Sequence, residues 1–297
     1  MSKRLAIVAP SGRLPEPAEA DRAARFFAAR GWNVQAGESV FGQDTRFAGD
    51  DAVRAADLMA YACDPETDLV LAARGGYGLT RLLDRLDFVA IARRAPILVG
   101  YSDFTAFNLA YLAAVGGVSY QGPSAVDFAR ELPNPFTVGQ FFAALESDEH
   151  VLRFATEAAP LAVQGLLWGG NLAMVCALLA TPWFPQIDGG ILFLEDVNEP
   201  AYKVERMLLQ LAQAGVLERQ RAIVLGAFSP MPIMASDYGF AFEDVLARLM
   251  QACATPIVTG LPFGHVPQKA MLAVGAQARL EVEQGVARLS YRGHPRL

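Results

Sequence analysis

Short apolar runs alternate with helix-like patterns over the first part of the chain. The apolar runs end in Gly, Pro or Ser, which is typical of buried strands that lead into loops. Predicted strands cover residues 5–9, 32–36, 68–73 and 96–100, and helical patterns cover residues 16–30, 51–63 and the segment from 104 onward. Strands that alternate with helices predict βαβ units, in which helices cover both faces of a parallel sheet.

The pattern weakens after Ser124 and resumes in the second half. Pro133, Pro135 and Pro160, together with acidic residues at 146, 148 and 149, predict a connection at residues 146–163. Beyond it, strand-like runs cover residues 163–170, 190–195, 222–226 and 256–260, helical patterns cover 171–180, 202–215 and 242–253, and a hairpin is predicted over 278–291. A length of 297 residues fits two domains. We therefore expect α/β domains at residues 1–145 and 164–297.

Composition narrows the class of protein. The chain has 25 Lys and Arg against 31 Asp and Glu, and 53% of its residues are hydrophobic. Neither disorder nor a nucleic-acid partner is expected, because the chain is apolar and mildly acidic. It has no apolar run of membrane-spanning length and no apolar core of a signal peptide near its start. We expect a cytoplasmic protein without a membrane anchor.

Cysteine and histidine usage argues against metals and disulfides. The three cysteines form no CxxC pair, and the three histidines form no HExxH motif. Three small buried thiols are the expectation, with no metal and no cofactor. His150, in the predicted connection, and His294, near the end of the chain, are expected at the surface.

Ser102 lies between a predicted buried strand and a predicted helix, in the segment Val-Gly-Tyr-Ser-Asp at residues 99–103. A sharp turn there would project the serine Oγ from the sheet and leave the Asp103 N–H at a helix N-terminus, where it can stabilise an oxyanion. Phe104 stands where the G-x-S-x-G motif has its second glycine. A simple N-cap role for Ser102 therefore stays open.

Two further segments follow predicted strands. The glycines of Arg-Gly-Gly-Tyr-Gly, residues 74–78, allow close backbone approach, so this loop could supply an oxyanion donor, bind a phosphate or form an ordinary tight turn. Glu195 ends a later strand, where a carboxylate can orient a histidine. Glu195, Asp196 and Glu199 could equally form a solvated acidic loop.

His265 follows the last predicted strand of the second half, between Gly264 and Val266. A lone histidine is more often structural than catalytic. The order Ser102, Glu195, His265 is that of the triads in α/β-hydrolases, although triads occur in other orders as well.

Six segments of the chain resemble the LD-carboxypeptidases, a family of serine peptidases that includes muramoyltetrapeptide carboxypeptidases and microcin-C immunity hydrolases. They occur in the family's order and span nearly the whole chain: VAPSG at 8–12, ARGGYG at 73–78, LVGYSD at 98–103, WGGNL at 168–172, FLEDVNEPAYKVERML at 193–208 and GLPFGHV at 260–266. The resemblance implies a Rossmann-like N-terminal α/β domain, similar to class I amidotransferases, and a smaller swivelling α/β C-terminal domain.

The resemblance also implies site residues. It implies Ser102 as nucleophile, Glu195 as acid and His265 as base, with an active site shared between the two domains. The implied oxyanion hole consists of backbone N–H groups at Asp103 and at the turn formed by Gly75 and Gly76. Residues 104–107 and 266–275 depart from the family pattern, which bears on substrate preference rather than on the triad.

The activity implied by the resemblance is that of a serine L,D-carboxypeptidase. It would release the terminal D-Ala from murein tetrapeptides through an acyl-enzyme during cytoplasmic wall recycling, as a homodimer. Arg74 is one candidate for the residue that binds the terminal carboxylate of the substrate.

The alternative within the family is an immunity-type hydrolase that cleaves a peptidyl-aminoacyl nucleotide, with Trp168 or Trp183 stacked on the base. A non-enzymatic binding module also stays open, whereas an amidotransferase-like enzyme normally needs a cysteine nucleophile at the elbow.

Overall fold

Two β-sheets organise residues 3–297, the part of the chain that the computed structural model describes. The first is a 6-stranded sheet in the order β11-β5-β4-β3-β1-β2. Its strands are β1 Arg4–Val8, β2 Asn33–Ala36, β3 Leu69–Ala72, β4 Ile97–Gly100, β5 Ser119–Gln121 and β11 Leu272–Val274. Strands β1 to β5 run parallel, and β11 pairs antiparallel with β5. Strands β3 and β4 are buried along their whole length because helices cover both faces, which explains their continuous apolar sequences.

The order of the parallel strands places three loops together. The direction of the strand order reverses between β1 and β3, and open α/β sheets bind ligands at the carboxyl ends of the strands near such a reversal. The loops that follow β1, β3 and β4 contain Ser11, the glycines at 75 and 76, and Ser102. This edge of the first sheet is therefore where the fold favours a ligand.

The second is a 7-stranded sheet in the order β10-β9-β8-β7-β12-β13-β6. Its strands are β6 Glu149–Ala155, β7 Leu161–Asn171, β8 Ile191–Asp196, β9 Ala222–Phe228, β10 Ile257–Val258, β12 Gln277–Glu283 and β13 Val286–Arg292. Strand β7 pairs through its first half with β12 in antiparallel fashion and through its second half with β8 in parallel fashion. It therefore joins a parallel part of the sheet to an antiparallel part.

Helices pack on both sheets. They are α1 Ala18–Ala28, α2 Asp51–Cys63, α3 Phe88–Arg94, α4 Thr105–Val115, α5 Ala125–Phe128, α6 Pro135–Glu146, α7 Leu172–Leu178, α8 Ala201–Gln213 and α9 Phe242–Ala252. Asx side chains cap four of them by accepting a backbone N–H of the first turn: Asp50 on α2, Asp87 on α3, Asn134 on α6 and Asn171 on α7. Helix α4 is buried at each of its first eight positions, because it packs between the first sheet and the second half of the chain. Within residues 3–297, none of these helices is long and apolar enough to cross a membrane.

The predicted α/β fold class is confirmed, with a parallel sheet in the first half and a second sheet after it. The hairpin is also present, because β12 and β13 pair around Gln284 and Gly285. Two short strands escaped prediction. Strands β5 and β11 have three residues each, too few for a periodic pattern to be visible.

The structure differs from the predicted connection at 146–163. Residues 149–155 form β6, which pairs along its whole length with β13. The acidic residue Glu149, which suggested a linker, instead forms ion pairs with Arg288 and Arg292 on β13. Strand β11 lies within the predicted domain 164–297 but belongs to the first sheet. The chain thus crosses between the sheets more than once, and the division into domains stays a prediction.

His150 and His294 are buried, so their expected surface positions are wrong. His150 lies on the inward face of β6, with its Nε2 2.9 Å from Gln140 Oε1. The Nε2 of His294 lies 3.1 Å from the Ala144 carbonyl oxygen at the end of α6. Both follow from the pairing of β6, which brings α6 over this end of the second sheet. Burial lowers the pKa of His150 to about 4, because the charged imidazolium loses its hydration.

The burial of His150 makes stability depend on pH. Because its folded pKa of about 4 lies below the ordinary value of 6.5, the unfolded chain binds the proton more readily. This contribution to stability is complete above pH 6.5 and is lost as the pH falls toward 4. We expect the free energy of unfolding to fall by about 2 kcal/mol more in the wild type than in His150→Asn between pH 7.5 and pH 5. Denaturant unfolding at both pH values measures this difference, and equal pH slopes in the two proteins would contradict it.

Candidate active site

Ser102 lies on a strained turn between β4 and α4. Its φ is +62°, in the left-handed region that residues with a side chain rarely adopt. Such a conformation costs on the order of 1–3 kcal/mol and is typical of functional sites. Residues Ser102–Phe104 form a short 3₁₀ turn that leads into α4, and the serine side chain caps neither element. The geometry is that of a nucleophile elbow, and an N-cap role is not observed.

His265 lies between Ser102 and Glu195. Its Nε2 is 3.0 Å from Ser102 Oγ, and its Nδ1 is 2.8 Å from Glu195 Oε2. An ionised Glu195 accepts a hydrogen bond from Nδ1–H, which leaves Nε2 free to accept the serine proton. Gly264, with a φ of +136°, precedes the histidine, and a Cβ there would lie 3.2 Å from Glu195 Oε2. A glycine at this position therefore allows the close approach of the histidine loop to the carboxylate.

The carboxylates at the end of β8 are buried, so a solvated acidic loop is wrong for Glu195 and Asp196. The Asn171 side-chain amide donates to Glu195 Oε1 at 3.2 Å and to Asp196 Oδ1 at 3.0 Å. The Asn171 backbone N–H donates to the Thr105 hydroxyl of α4 at 3.0 Å. Burial raises the pKa of Asp196 to about 6. Asn171 thus connects the carboxylates of the second sheet to the helix that follows Ser102.

The Gly75–Gly76 turn lies directly against the serine. A Cβ on Gly75 would be 2.7 Å from Ser102 Cβ and 2.9 Å from its Oγ, which leaves room only for glycine. Gly76 has a φ of +118°, which also favours glycine. The main chain of this turn therefore approaches the serine closely, and Asp103, the next residue after Ser102, carries a further backbone N–H; an oxyanion hole uses donors of this kind.

The side chain of Asp103 connects three loops, a role that its position in the sequence did not indicate, since the residues it contacts are distant in the chain. Asp103 is buried, and its Oδ2 accepts hydrogen bonds from the Ser11 hydroxyl at 2.6 Å and the Leu79 N–H at 2.9 Å. Burial raises the pKa of this carboxyl group. The carboxyl group joins the loops that follow β1 and β3 to the elbow that follows β4.

Lys269 anchors the loop that carries His265. Its buried Nζ lies 2.7 Å from Asp127 Oδ1 in α5 and donates to the Val266 carbonyl oxygen at 2.8 Å. The ammonium group also lies 5.0 Å from the centre of the Tyr101 ring, which itself packs against His265. Lys269 could not be identified from the sequence, because Asp127 is 142 residues away in the chain and no local pattern links the two.

A cavity of about 380 Å³ opens above Ser102 and His265. Its charged lining residues are Glu19, Arg74 and Arg130.

The two tryptophans considered for base stacking lie elsewhere: Trp168 is buried with its indole N–H bound to Gln220, and Trp183 packs against Phe88. Across residues 3–297, no group of three or more His, Cys, Asp or Glu side chains is arranged to hold a metal ion.

Two family models match the chain. Residues 5–122 match the LD-carboxypeptidase N-terminal domain, and residues 164–280 match the LD-carboxypeptidase C-terminal domain. The chain belongs to the LD-carboxypeptidase family. Membership confirms the resemblance seen in the sequence and makes the protein a carboxypeptidase of a serine peptidase family. The hypotheses of a non-enzymatic binding module and of an amidotransferase-like enzyme are therefore wrong.

Three relatives show how far the similarity extends. The crystal structure of muramoyltetrapeptide carboxypeptidase from Oxalobacter formigenes is 40% identical, with a TM-score of 0.93, and the match covers 99% of this chain and 100% of that chain. The murein tetrapeptide carboxypeptidase of Pseudomonas aeruginosa is 29% identical, over 94% of this chain and 93% of that protein. The microcin C7 self-immunity protein MccF, in complex with glutamyl sulfamoyl guanosine, is 21% identical, with a TM-score of 0.89 over 100% of this chain and 97% of its own. At that identity the similarity to MccF concerns the fold alone.

The buried ion pair of Lys269 and Asp127 generates a stability prediction. Lys269→Met leaves the Asp127 carboxylate buried without its cation, which typically costs 3–5 kcal/mol. We expect a loss of that order, about 3–5 kcal/mol, in the free energy of unfolding measured with denaturant at neutral pH.

The matched control removes both charges. Asn in place of Asp127 keeps an oxygen that can accept from the Ser124 N–H, the bond by which Asp127 completes the capping box of α5. Lys269→Met combined with Asp127→Asn should therefore recover at least half of the loss. A double variant as unstable as the sum of the single variants would show that the two side chains are not coupled.

Proposed function

We propose that the protein is a serine L,D-carboxypeptidase that releases the terminal D-alanine from murein tetrapeptides. The observation that carries this proposal is the hydrogen-bonded series Ser102–His265–Glu195, with distances of 3.0 and 2.8 Å. These groups come from the ends of three separate segments, and Ser102 is strained to reach its position. Such an arrangement has no evident structural purpose and is the one that acyl transfer needs.

The proposed mechanism begins with attack by Ser102 Oγ on the carbonyl carbon of the scissile amide. His265 Nε2 takes the serine proton, and Glu195 keeps the Nδ1–H tautomer and stabilises the imidazolium. Backbone N–H groups of Asp103 and of the Gly75–Gly76 turn stabilise the tetrahedral oxyanion. The C–N bond then breaks as His265 returns the proton to the leaving amine, which departs as D-alanine. Water, activated by the same histidine, hydrolyses the acyl-enzyme and frees Ser102.

The substrate assignment is supported by the names of two similar proteins, a muramoyltetrapeptide and a murein tetrapeptide carboxypeptidase. We further propose that the reaction belongs to cytoplasmic recycling of wall peptides and that the enzyme acts as a homodimer.

The immunity-type alternative is not favoured, because the tryptophans expected to stack on a base lie away from the cavity. Parallel assays with an L,D-linked tetrapeptide and a peptidyl-adenylate amide distinguish the two reactions.

Removal of the nucleophile tests the proposal directly. We expect Ser102→Ala to fold normally and to release D-alanine at least about 10⁴-fold more slowly, because the acyl-enzyme no longer forms. Mass spectrometry of the tetrapeptide products measures the rate, and an L,L-linked tetrapeptide serves as the control substrate. Labelling by a fluorophosphonate probe should disappear in the same variant. Near-wild-type turnover by Ser102→Ala would end the nucleophile assignment.

The acid of the triad can be tested without changing its size. In Glu195→Gln, the side-chain amide can donate toward His265 Nδ1, so the imidazole carries its proton on Nε2 and cannot accept from the serine. We expect kcat to fall by about 10²–10⁴-fold with little change in KM, because the loss concerns the transition state. Steady-state kinetics on the L,D-tetrapeptide measures both constants. A kcat within a few-fold of the wild type would contradict a catalytic role for this carboxylate.

A further inference from the structure

Two depressions flank the central cavity above Ser102. The first, which we call the glycine-side depression, is lined by Gly12, Arg13, Arg46 and Gly76 and shares Arg74 with the central cavity. The second, the histidine-side depression, is lined by Asp127, Thr137 and Pro267 and shares Arg130 with the central cavity. One arginine thus stands at each border of the cavity.

The proposed reaction indicates which border of the cavity faces the leaving group. His265 returns a proton to the leaving amine, so the leaving residue must lie on the histidine side of Ser102. The Gly75–Gly76 turn, which directly follows Arg74, lies against the serine and would hold the carbonyl oxygen rather than the leaving amine. Pro267, two residues after His265, belongs to the depression that Arg130 borders. Arg130 is therefore the arginine on the leaving-group side, and Arg74 is on the oxyanion side.

We propose that Arg130 binds the terminal carboxylate of the substrate, an inference that rests on the proposed carboxypeptidase function. A planar guanidinium matches a carboxylate in two parallel hydrogen bonds. An anchor of this kind one residue beyond the scissile bond selects a free chain end over an internal amide. This assignment replaces Arg74, the candidate suggested by the sequence.

The side chain of Arg130 is free to take this role. It is exposed, and within residues 3–297 it forms neither an ion pair nor a side-chain hydrogen bond. The neighbouring carboxylate of Asp127 is already neutralised by Lys269 at 2.7 Å, so it does not compete for the guanidinium. Arg74, in contrast, donates from Nη1 to the Arg13 carbonyl oxygen at 3.1 Å.

The charge pattern of the cavity also fits a peptide end. Arg74 and Arg130 supply positive charge at the two borders, whereas Glu19 supplies one carboxylate to the same lining. A ligand with carboxylates at both ends and an ammonium group between them would satisfy all three side chains. Peptides that contain a diamino acid and end in a free carboxylate belong to this class.

The test compares a substrate carboxylate with its amide in an enzyme that binds without turnover. Calorimetry measures the Kd of the L,D-tetrapeptide and of its C-terminal amide for Ser102→Ala, and for the same protein with Arg130→Gln or Arg74→Gln. We expect the free acid to bind about 10- to 100-fold more tightly than the amide to Ser102→Ala. Arg130→Gln should reduce this ratio to near unity, and the matched control Arg74→Gln should retain most of it.

The outcomes separate this inference from the proposed function. A ratio that is unaffected by Arg130→Gln, lost instead in Arg74→Gln, or absent from Ser102→Ala itself would overturn the assignment of Arg130. Wild-type release of D-alanine is measured in parallel. If the wild type does not release D-alanine while Arg130 still sets the acid-to-amide ratio, the proposed activity fails and the carboxylate assignment stands. If release occurs and the ratio is independent of Arg130, only the assignment fails.

Discussion

The hydrogen bond between Ser102 Oγ and His265 Nε2 joins groups that are 163 residues apart in the chain, and much of the structure holds them 3.0 Å from each other. Two polar contacts between the halves of the chain hold the loops that carry these two groups close together. Asn171, at the end of β7, donates to Thr105 directly after the elbow, and Lys269 ties the histidine loop to Asp127. Each contact connects a segment of one sheet to a helix of the other half. A shift of about 1 Å between them is enough to impair proton transfer.

Several of the protein's buried ionisable side chains lie around Ser102 and His265. Asp103, Glu195, Asp196 and Lys269 are all nearly inaccessible to water, in a protein whose other charged side chains lie mostly on its surface. Burial of a charge is costly unless hydrogen bonds or an opposite charge compensate for it. Here each group has at least one close polar partner. The polar network therefore determines where the loops of the site lie and leaves them few alternative arrangements.

Much of this architecture was predictable from the sequence, and the exceptions have physical causes. Short apolar runs predicted the parallel strands, an alternating pattern predicted the final hairpin, and both placed Ser102 and Glu195 at strand ends, whereas His265 lies in a loop beyond the end of β10. Strand β6 was missed because its acidic start suggested a linker, although ion pairs to β13 explain that acidity. The contacts of Asp103 and Lys269 could not be predicted, since they depend on packing between distant segments. The borders of the cavity have the same origin, because Arg74 and Arg130 line one cavity only in the folded chain.

Strand β11 has a consequence for the order in which the protein can assemble. The edge of the first sheet at β5 is completed by residues 272–274, which are made long after β5 itself. During synthesis from the N-terminus, β5 therefore exposes unpaired backbone groups until β11 has been made. His265 also lies in this late segment. A growing chain thus carries Ser102 without its proposed base until His265 has been made, and the completed sheet edge and the assembled site form at nearly the same time.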